Sequence, residues 1–223
     1  MKKEKTQDCI TERIEGKSSH NEHFISLNDI NELHQAKPAI LLHSCCGPCS
    51  TAVVERLSGT YDITIFFYNP NITDEEEYQR RKSAQIEFIE KYNSRKDSKD
   101  RLAFLEGPYE PSVFYQSVCG LEAEPEGGRR CTVCFQQRLE KTAEIACISG
   151  FDTFTTTLTV SPHKNFDLIY KLGMNLGMRY GLTFLGEDFK KRAGYQRSIE
   201  LSREYQLYRQ NYCGCEFSKN NSK

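Results

Sequence analysis

Thiols dominate the chemistry this sequence can do. Cys45, Cys46 and Cys49 crowd into the stretch His43-Ser44-Cys45-Cys46-Gly47-Pro48-Cys49-Ser50, and Cys131 and Cys134 form a second pair at C-x-x-C spacing. Neighbouring thiols bond to each other only with strain, but both can reach one metal or cluster. Cysteines acting as small hydrophobes explain a single buried thiol better than this crowding. Cys45, Cys46, Cys131 and Cys134 together offer four thiolates, enough for zinc or for an iron–sulfur cluster. Structural zinc draws its paired ligands at C-x₂₋₄-C spacing, and an adjacent doublet is awkward for one small tetrahedral ion. A 4Fe–4S cube presents separated iron corners, so the doublet favours the cluster while leaving zinc open. Cys213-Gly214-Cys215 is a different object, because glycine permits a tight turn between its thiols. Such a dithiol can cycle through a strained, easily reduced disulfide, or it can supply further metal ligands. Cys49 can back up either centre, while Cys9, Cys119 and Cys147 have no partner at suggestive spacing.

These thiols sit at the joints of an alternating pattern. Ala39-Ile40-Leu41-Leu42 reads as a buried first strand, and Thr51 to Leu57 as the helix after the cysteine turn. Strands are expected at Asp62–Tyr68, Leu102–Leu105, Thr153–Leu158 and Leu182–Leu185. Helices are expected from Asp74 to about Asn93, with Thr73 and Glu76 as a capping box, through Phe114 and Val118, and from Cys131 to about Ile148. In the first of these, Ala84, Phe88 and Tyr92 share an apolar face and the charged residues the other. The pattern predicts an α/β fold, a mainly parallel five-stranded sheet with helices on both faces. Ligands in such sheets bind beyond the carboxyl ends of the strands, where the cysteine turn falls. Cys131 and Cys134 would share one face of a helix start, with the helix end, Arg129 and Arg130 favouring their ionised form. The turn Thr159-Val160-Ser161-Pro162-His163-Lys164-Asn165 is rich in hydroxyls and carries a cation. It suits phosphate or ribose contacts, with His163 a substrate contact or proton donor. His43 reads first as a hydrogen-bonded scaffold residue.

Residues 1–22 are polar without an apolar period and are expected to be a disordered tail. Residues 23–37 read as a helical extension, 38–218 as a single α/β domain and 219–223 as a second tail. The chain has 223 residues, 38% hydrophobic and 27% charged, which fits one sizeable soluble domain. No apolar run reaches membrane-spanning length, and no signal peptide is evident, which predicts a cytoplasmic protein. In that reducing compartment ten cysteines point to metal or redox chemistry more than to structural disulfides. A net charge of −1 does not announce a nucleic-acid partner. From Phe189 to Tyr212, however, Lys190, Lys191, Arg192, Arg197, Arg203 and Arg209 interleave with Tyr195, Tyr205, Tyr208 and Tyr212. Cations meet phosphates and rings stack on unpaired bases, so this segment is either an RNA-binding surface or an amphipathic helix packed on the sheet.

The cysteine turn, Tyr68-Asn69-Pro70-Asn71-Ile72, Arg130-Cys131-Thr132-Val133-Cys134-Phe135, the Thr155–Asn165 segment and the ending from Gly194 to Cys215 together resemble QueH, the cobalamin-independent epoxyqueuosine reductase family. The likeness runs in order from Pro38 to Ser218. It implies reduction of epoxyqueuosine to queuosine and water at the wobble position of tRNAs for Asp, Asn, His and Tyr. It further implies a 4Fe–4S cluster on Cys45, Cys46, Cys131 and Cys134, and a redox-active disulfide between Cys213 and Cys215. An additional mononuclear iron with Cys49 as ligand would also accord with it. The anticodon loop and an electron donor of unknown identity are the implied partners. His163, Lys164, Lys190, Lys191, Arg192, Tyr195 and Arg197 are the candidate substrate contacts. The family also resembles the Rossmann-like, HUP-type ATP-pyrophosphatase enzymes that modify tRNA, but here cysteines stand where their phosphate loop would be.

The chemistry accords with this likeness. Removing an epoxide oxygen takes two electrons and two protons, which a cluster moving single electrons and a dithiol holding a pair can share. An iron corner acting as a Lewis acid would ease C–O cleavage. Two rival classes remain at this stage: a zinc-stabilised RNA-binding module without redox activity, and an ATP-using tRNA-thiolating enzyme. The second needs a phosphate loop that the sequence lacks.

Overall fold

The computed structural model describes residues 37–219. The expected tail over 1–22, the expected helical extension up to residue 36 and residues 220–223 lie outside the described residues. Five parallel strands, β1 (Ala39–Ser44), β2 (Asp62–Phe67), β3 (Ala103–Glu106), β4 (Thr153–Thr156) and β5 (Thr183–Phe184), form one sheet in the order β3-β2-β1-β4-β5. The helices are α1 (Gly47–Leu57), α2 (Glu75–Asn93), α3 (Pro111–Ser117), α4 (Arg129–Ile148), α5 (Phe166–Tyr180), α6 (Gly194–Glu204) and the single turn α7 (Glu216–Lys219).

Alternation along β1 explains the layering. Ile40 and Leu42 join a core with Val53 and Val54 of α1, Phe88 of α2 and Leu201 of α6. Leu41 points the other way, into a core with Leu139 and Ala143 of α4 and Ile169 and Leu176 of α5. Successive strand residues face opposite sides, so a strand flanked by two cores must be apolar throughout. Helices therefore cover both faces, as the alternating sequence pattern predicts.

Strand order reverses at β1, whose neighbours are β2 on one side and β4 on the other. The crevice beyond the carboxyl ends of β1 and β4 is thus the topological switch point, where open α/β sheets place their ligands. The cysteine turn leaves β1 there and the Thr157–Lys164 segment leaves β4. Only the first part of the expected strand Thr153–Leu158 is strand: β4 stops at Thr156, and Thr157–Val160 tightens into a 3₁₀ turn in which Leu158 N–H donates to the Thr156 hydroxyl at 3.1 Å.

Two local expectations need correction. Helix α2 is capped by Asp74, whose carboxylate accepts from Glu77 N at 3.2 Å, because Thr73 lies one residue too early. Its charged face is also not wholly solvated, since Glu77, Arg81 and Gln85, spaced four apart, are all buried.

Helix α1 begins at Gly47, and a Cβ there would clash with the carbonyl oxygen of Ala84 on α2. The cysteine turn depends on that close approach. Gly47→Ala is expected to cost about 2 kcal/mol through overpacking, despite alanine's better helix propensity. A urea unfolding midpoint lowered in proportion checks it, and an unchanged midpoint refutes it.

Candidate metal and substrate site

Cys45, Cys46 and Cys49 bring their sulfurs within 4.8 Å of one another at the start of α1, an arrangement able to hold a metal. The turn is braced from below. Ser44 Oγ lies 2.7 Å from Ser50 Oγ, and both hydroxyls donate to Gln85 Oε1 on α2, at 2.6 and 2.7 Å. Cys45 faces the 3₁₀ turn beyond β4, with its Sγ 3.6 Å from Thr157 Oγ1. Cys46 is fully buried and its Sγ accepts from Gln210 Nε2 at 2.9 Å.

Three thiols this close cannot all ionise without a cation between them. Cys45 is held well below the usual thiol range by hydrogen bonds from Cys46 and Cys49, helped by the Lys164 ammonium and the Thr157 hydroxyl. Cys46 is correspondingly pushed up to about 12, and Cys49 is raised as well. A bound metal would take the place of the protons that Cys46 and Cys49 otherwise retain.

Cys131 and Cys134 occupy the first turn and a half of α4. Gly127 N–H donates to Cys131 Sγ at 3.2 Å, while Cys134 is buried with Phe114, Val118 and Cys215. The helix start does not favour their ionised forms as the sequence suggests. Burial outweighs it, raising Cys131 and pushing Cys134 up to about 12.

A single guanidinium counters this burial. Arg138, one turn further along α4, is itself buried and donates through Nε to the Cys134 carbonyl at 3.2 Å. Burial opposes its charge, but the thiols of Cys134, Cys213, Cys45 and Cys131 more than offset that and raise its affinity for its proton. All three cysteine groups therefore lie within electrostatic reach of one cation. Its Nη2 has no hydrogen-bond partner among the described residues.

The third group hangs from α2. Arg81 is 1% exposed and pairs through Nε with Glu77 at 2.6 Å. Its other nitrogens donate to the carbonyls of Cys213 and Tyr212, both at 3.1 Å, and it stacks over the Tyr212 ring at 5.1 Å. The free oxygen of Glu77 accepts from the Tyr208 hydroxyl at 2.8 Å. Gly214 then takes φ +115°, and a Cβ there would meet Ile72 Cγ1 at 2.9 Å and Arg81 Nη1 at 3.1 Å. The Cys213-Gly214-Cys215 turn is thus clamped against α2.

Between these parts opens a cavity of about 650 Å³. Cys45, Cys49 and Cys213 reach it, with Arg81, Glu126, His163, Lys164, Tyr195, Arg209 and Gln210 among its other walls. Lys164 is half-buried; burial opposes its charge, but Cys45 and Cys213 offset that and hold it above the usual lysine range. His43 faces away: it is fully buried between Thr156 Oγ1 at 2.9 Å and the Tyr68 carbonyl at 3.1 Å. Burial, then Arg138, drives its pKa down to about 3, so it is a neutral scaffold residue.

The basic, aromatic segment is divided. Tyr195 and Arg209 line the cavity, the guanidinium lying 5.6 Å from the ring. Phe189 and Tyr205 are buried in the core. Lys190 pairs with Asp188 at 3.2 Å and Arg197 is held by Glu55 at 2.7 Å and Glu200 at 3.1 Å. Lys190, Lys191, Arg192 and Arg197 do not line the cavity. Lys191, 4.0 Å from Asp188, and Arg192 are exposed in the segment before α6.

Arg81, Arg138 and Gln210 were not singled out by their sequence. The four-residue spacing of Glu77, Arg81 and Gln85 was a usable signal, since it puts the charged pair on one stripe beside Tyr78 and Phe88. Arg138 follows Cys134 at the same spacing. Gln210 carried no signal.

The family described as Epoxyqueuosine reductase QueH matches residues 40–221. A relative of that name from Streptococcus pyogenes serotype M1 is 45% identical over 187 residues, covering 84% of this chain and 72% of its own. One from Staphylococcus epidermidis is 46% identical over 184 residues, 82% of this chain and 76% of its own. One from Thermotoga maritima is 35% identical over 182 residues, 80% of this chain and 89% of its own.

Proposed function

This chain belongs to the epoxyqueuosine reductase family QueH, and from that premise we infer that it reduces the epoxide of epoxyqueuosine in tRNA to give queuosine and water, the last step of queuosine synthesis. The substrate position would be the wobble nucleotide of tRNAs for Asp, Asn, His and Tyr, and the setting cytoplasmic. Among the described residues no helix is long and apolar enough to cross a membrane. The observation that carries the reading is the Cys45, Cys46 and Cys49 triad, able to hold a metal, beside a cavity that Cys213 also lines and that is roomy enough for a modified base.

The residues fit an anionic iron–sulfur group. Cys45, Cys46, Cys131 and Cys134 would supply the thiolates, and Arg138, buried with an Nη2 that has no hydrogen-bond partner among the described residues, would supply compensating charge. Cys49 is then left over in the same triad, where it suits an additional mononuclear iron. When bound, a 4Fe–4S cluster supplies single-electron transfer. Cys213 and Cys215 as a dithiol can release two electrons and two protons while forming their disulfide. That balances the reaction, in which epoxide, two electrons and two protons become an alkene and water. An external electron donor must then restore the dithiol. His163 and Lys164 offer polar contacts to the base inside the cavity, and Tyr195 offers a stacking face beside Arg209.

For tRNA itself, the exposed and most loosely paired cations matter most: Arg192, and Lys191, whose contact with Asp188 is a long 4.0 Å. Changing Lys191 and Arg192 together to Ala is expected to weaken tRNA binding and flatten its salt slope by ~1.4, the equivalent of two single-strand phosphate contacts. Lys190→Ala, tied to Asp188, should move the slope less. An unchanged slope in the double variant would place the RNA elsewhere.

Anaerobic purification with iron, sulfide and zinc analysis, followed by an assay on tRNA carrying epoxyqueuosine, tests the whole reading. Iron with sulfide and conversion to queuosine support it. A colourless protein with zinc that binds RNA and leaves the epoxide intact identifies a non-redox module instead.

A further inference from the structure

Gln210 makes a contact that the reaction chemistry does not account for. It lies on the irregular segment between α6 and the dithiol, yet its side chain crosses to the cysteine turn and donates from Nε2 to Cys46 Sγ at 2.9 Å. Cys46 is 0% exposed, so water does not compete for that sulfur. The orientation of the amide is set by chemistry, because a metal-bound thiolate only accepts and would repel the carbonyl end. The carbonyl end, Oε1, is buried and has no partner among the described residues. The amide is therefore placed by its contact with sulfur and not by other hydrogen bonds.

We propose that Gln210 is a positioning residue that tunes the iron–sulfur centre through an N–H···S bond to Cys46, raising the centre's reduction potential. The inference rests on Cys46 being a cluster ligand. Hydrogen bonds to ligand sulfur withdraw electron density from the thiolate and stabilise the more negative, reduced state. Ligand partners in the surrounding shell act on metal centres in this way without touching the metal.

The location adds a second consequence. Gln210 and Cys213 sit on one short segment, and Arg81 pins its far end through the Tyr212 and Cys213 carbonyls. The contact with Cys46 and the placement of the dithiol are thus held by the same piece of backbone. Any movement of Cys213 on disulfide formation reaches Cys46 through Gln210.

The test is the midpoint potential of the cluster, followed by electron paramagnetic resonance in anaerobic redox titrations of the full chain. Gln210→Leu removes the donor at similar size. Gln210→Asn keeps the amide but withdraws it by one methylene, which guards against a folding defect in the leucine variant. Both are expected to load iron as the wild type does. Both should shift the midpoint downward by the equivalent of about a tenfold change in the one-electron equilibrium constant, ~59 mV. Loaded variants with the wild-type midpoint overturn the inference while leaving the cluster assignment standing. So does a leucine variant that fails to load beside an asparagine variant with the wild-type midpoint. A wild-type protein that takes up no iron–sulfur cluster overturns the ligand assignment and this inference with it.

Discussion

Replacing any one of Cys45, Cys46, Cys131 or Cys134 by Ala is expected to abolish the broad visible absorption of thiolate-bound iron and reduce epoxide reduction to background. The effect should be nearly complete, because the missing thiolate would leave one corner of the centre to water in a site built from buried apolar groups and a buried arginine. Cys49→Ala should behave differently. Its sulfur belongs to the same triad, but four thiolates remain without it, so the variant should keep the cluster absorption and lose at most about one equivalent of iron. Iron and sulfide content with the visible spectrum, measured without oxygen, decide both points. Full cluster content in the Cys131→Ala protein removes the assignment, and a cluster lost with Cys49 but retained without Cys131 would exchange their roles.

Cys213→Ser is expected to leave iron and sulfide intact while ending multiple turnover. Cys134 packs against Cys215, and Cys213 reaches the cavity beside Cys45 and Cys49, so electrons have a short way to travel between the two kinds of centre. A serine cannot form the disulfide, and one reducing equivalent cannot complete a two-electron reaction. The wild type should gain two alkylatable thiols on mild reduction, and neither Cys213→Ser nor Cys215→Ser should do so. Iron lost in step with activity in Cys213→Ser would assign the pair to a metal site instead.

Much of this arrangement is legible in the chain before any coordinates. Apolar runs separated by helical stretches of fitting length give a parallel sheet, and the cysteine turn falls at the end of its first strand. What local pattern cannot carry is the strand order that makes this particular strand end the switch point. That order depends on which edge of β1 receives β4, a choice made by long-range packing. Arg81 and Arg138 are hidden for a related reason. Charged residues on a helix ordinarily face water, whereas Arg81 is met by the Cys213 and Tyr212 carbonyls from the far end of the chain and Arg138 is buried on its own helix against the Cys134 carbonyl. Half of the basic segment misleads in the opposite sense. Arg197 and Lys190 look like cations awaiting phosphate, whereas Glu55, Glu200 and Asp188 already neutralise them.

Cys45 and Cys46 follow the first strand of the sheet, whereas Cys131 and Cys134 open a helix that comes only after α1, β2, α2, β3 and α3. A group bound by both pairs is therefore a staple across a long loop of chain. Closing such a loop removes conformational freedom from the unfolded state, and the free energy of metal binding becomes free energy of folding. Oxygen that dismantles the group would then do more than silence an oxidoreductase. It would unfasten the start of α4 from β1, freeing the acidic loop before it and exposing Cys134 and Cys215 to further oxidation. In a cell, chemical damage at such a centre would become a question of proteolysis and turnover of the polypeptide itself.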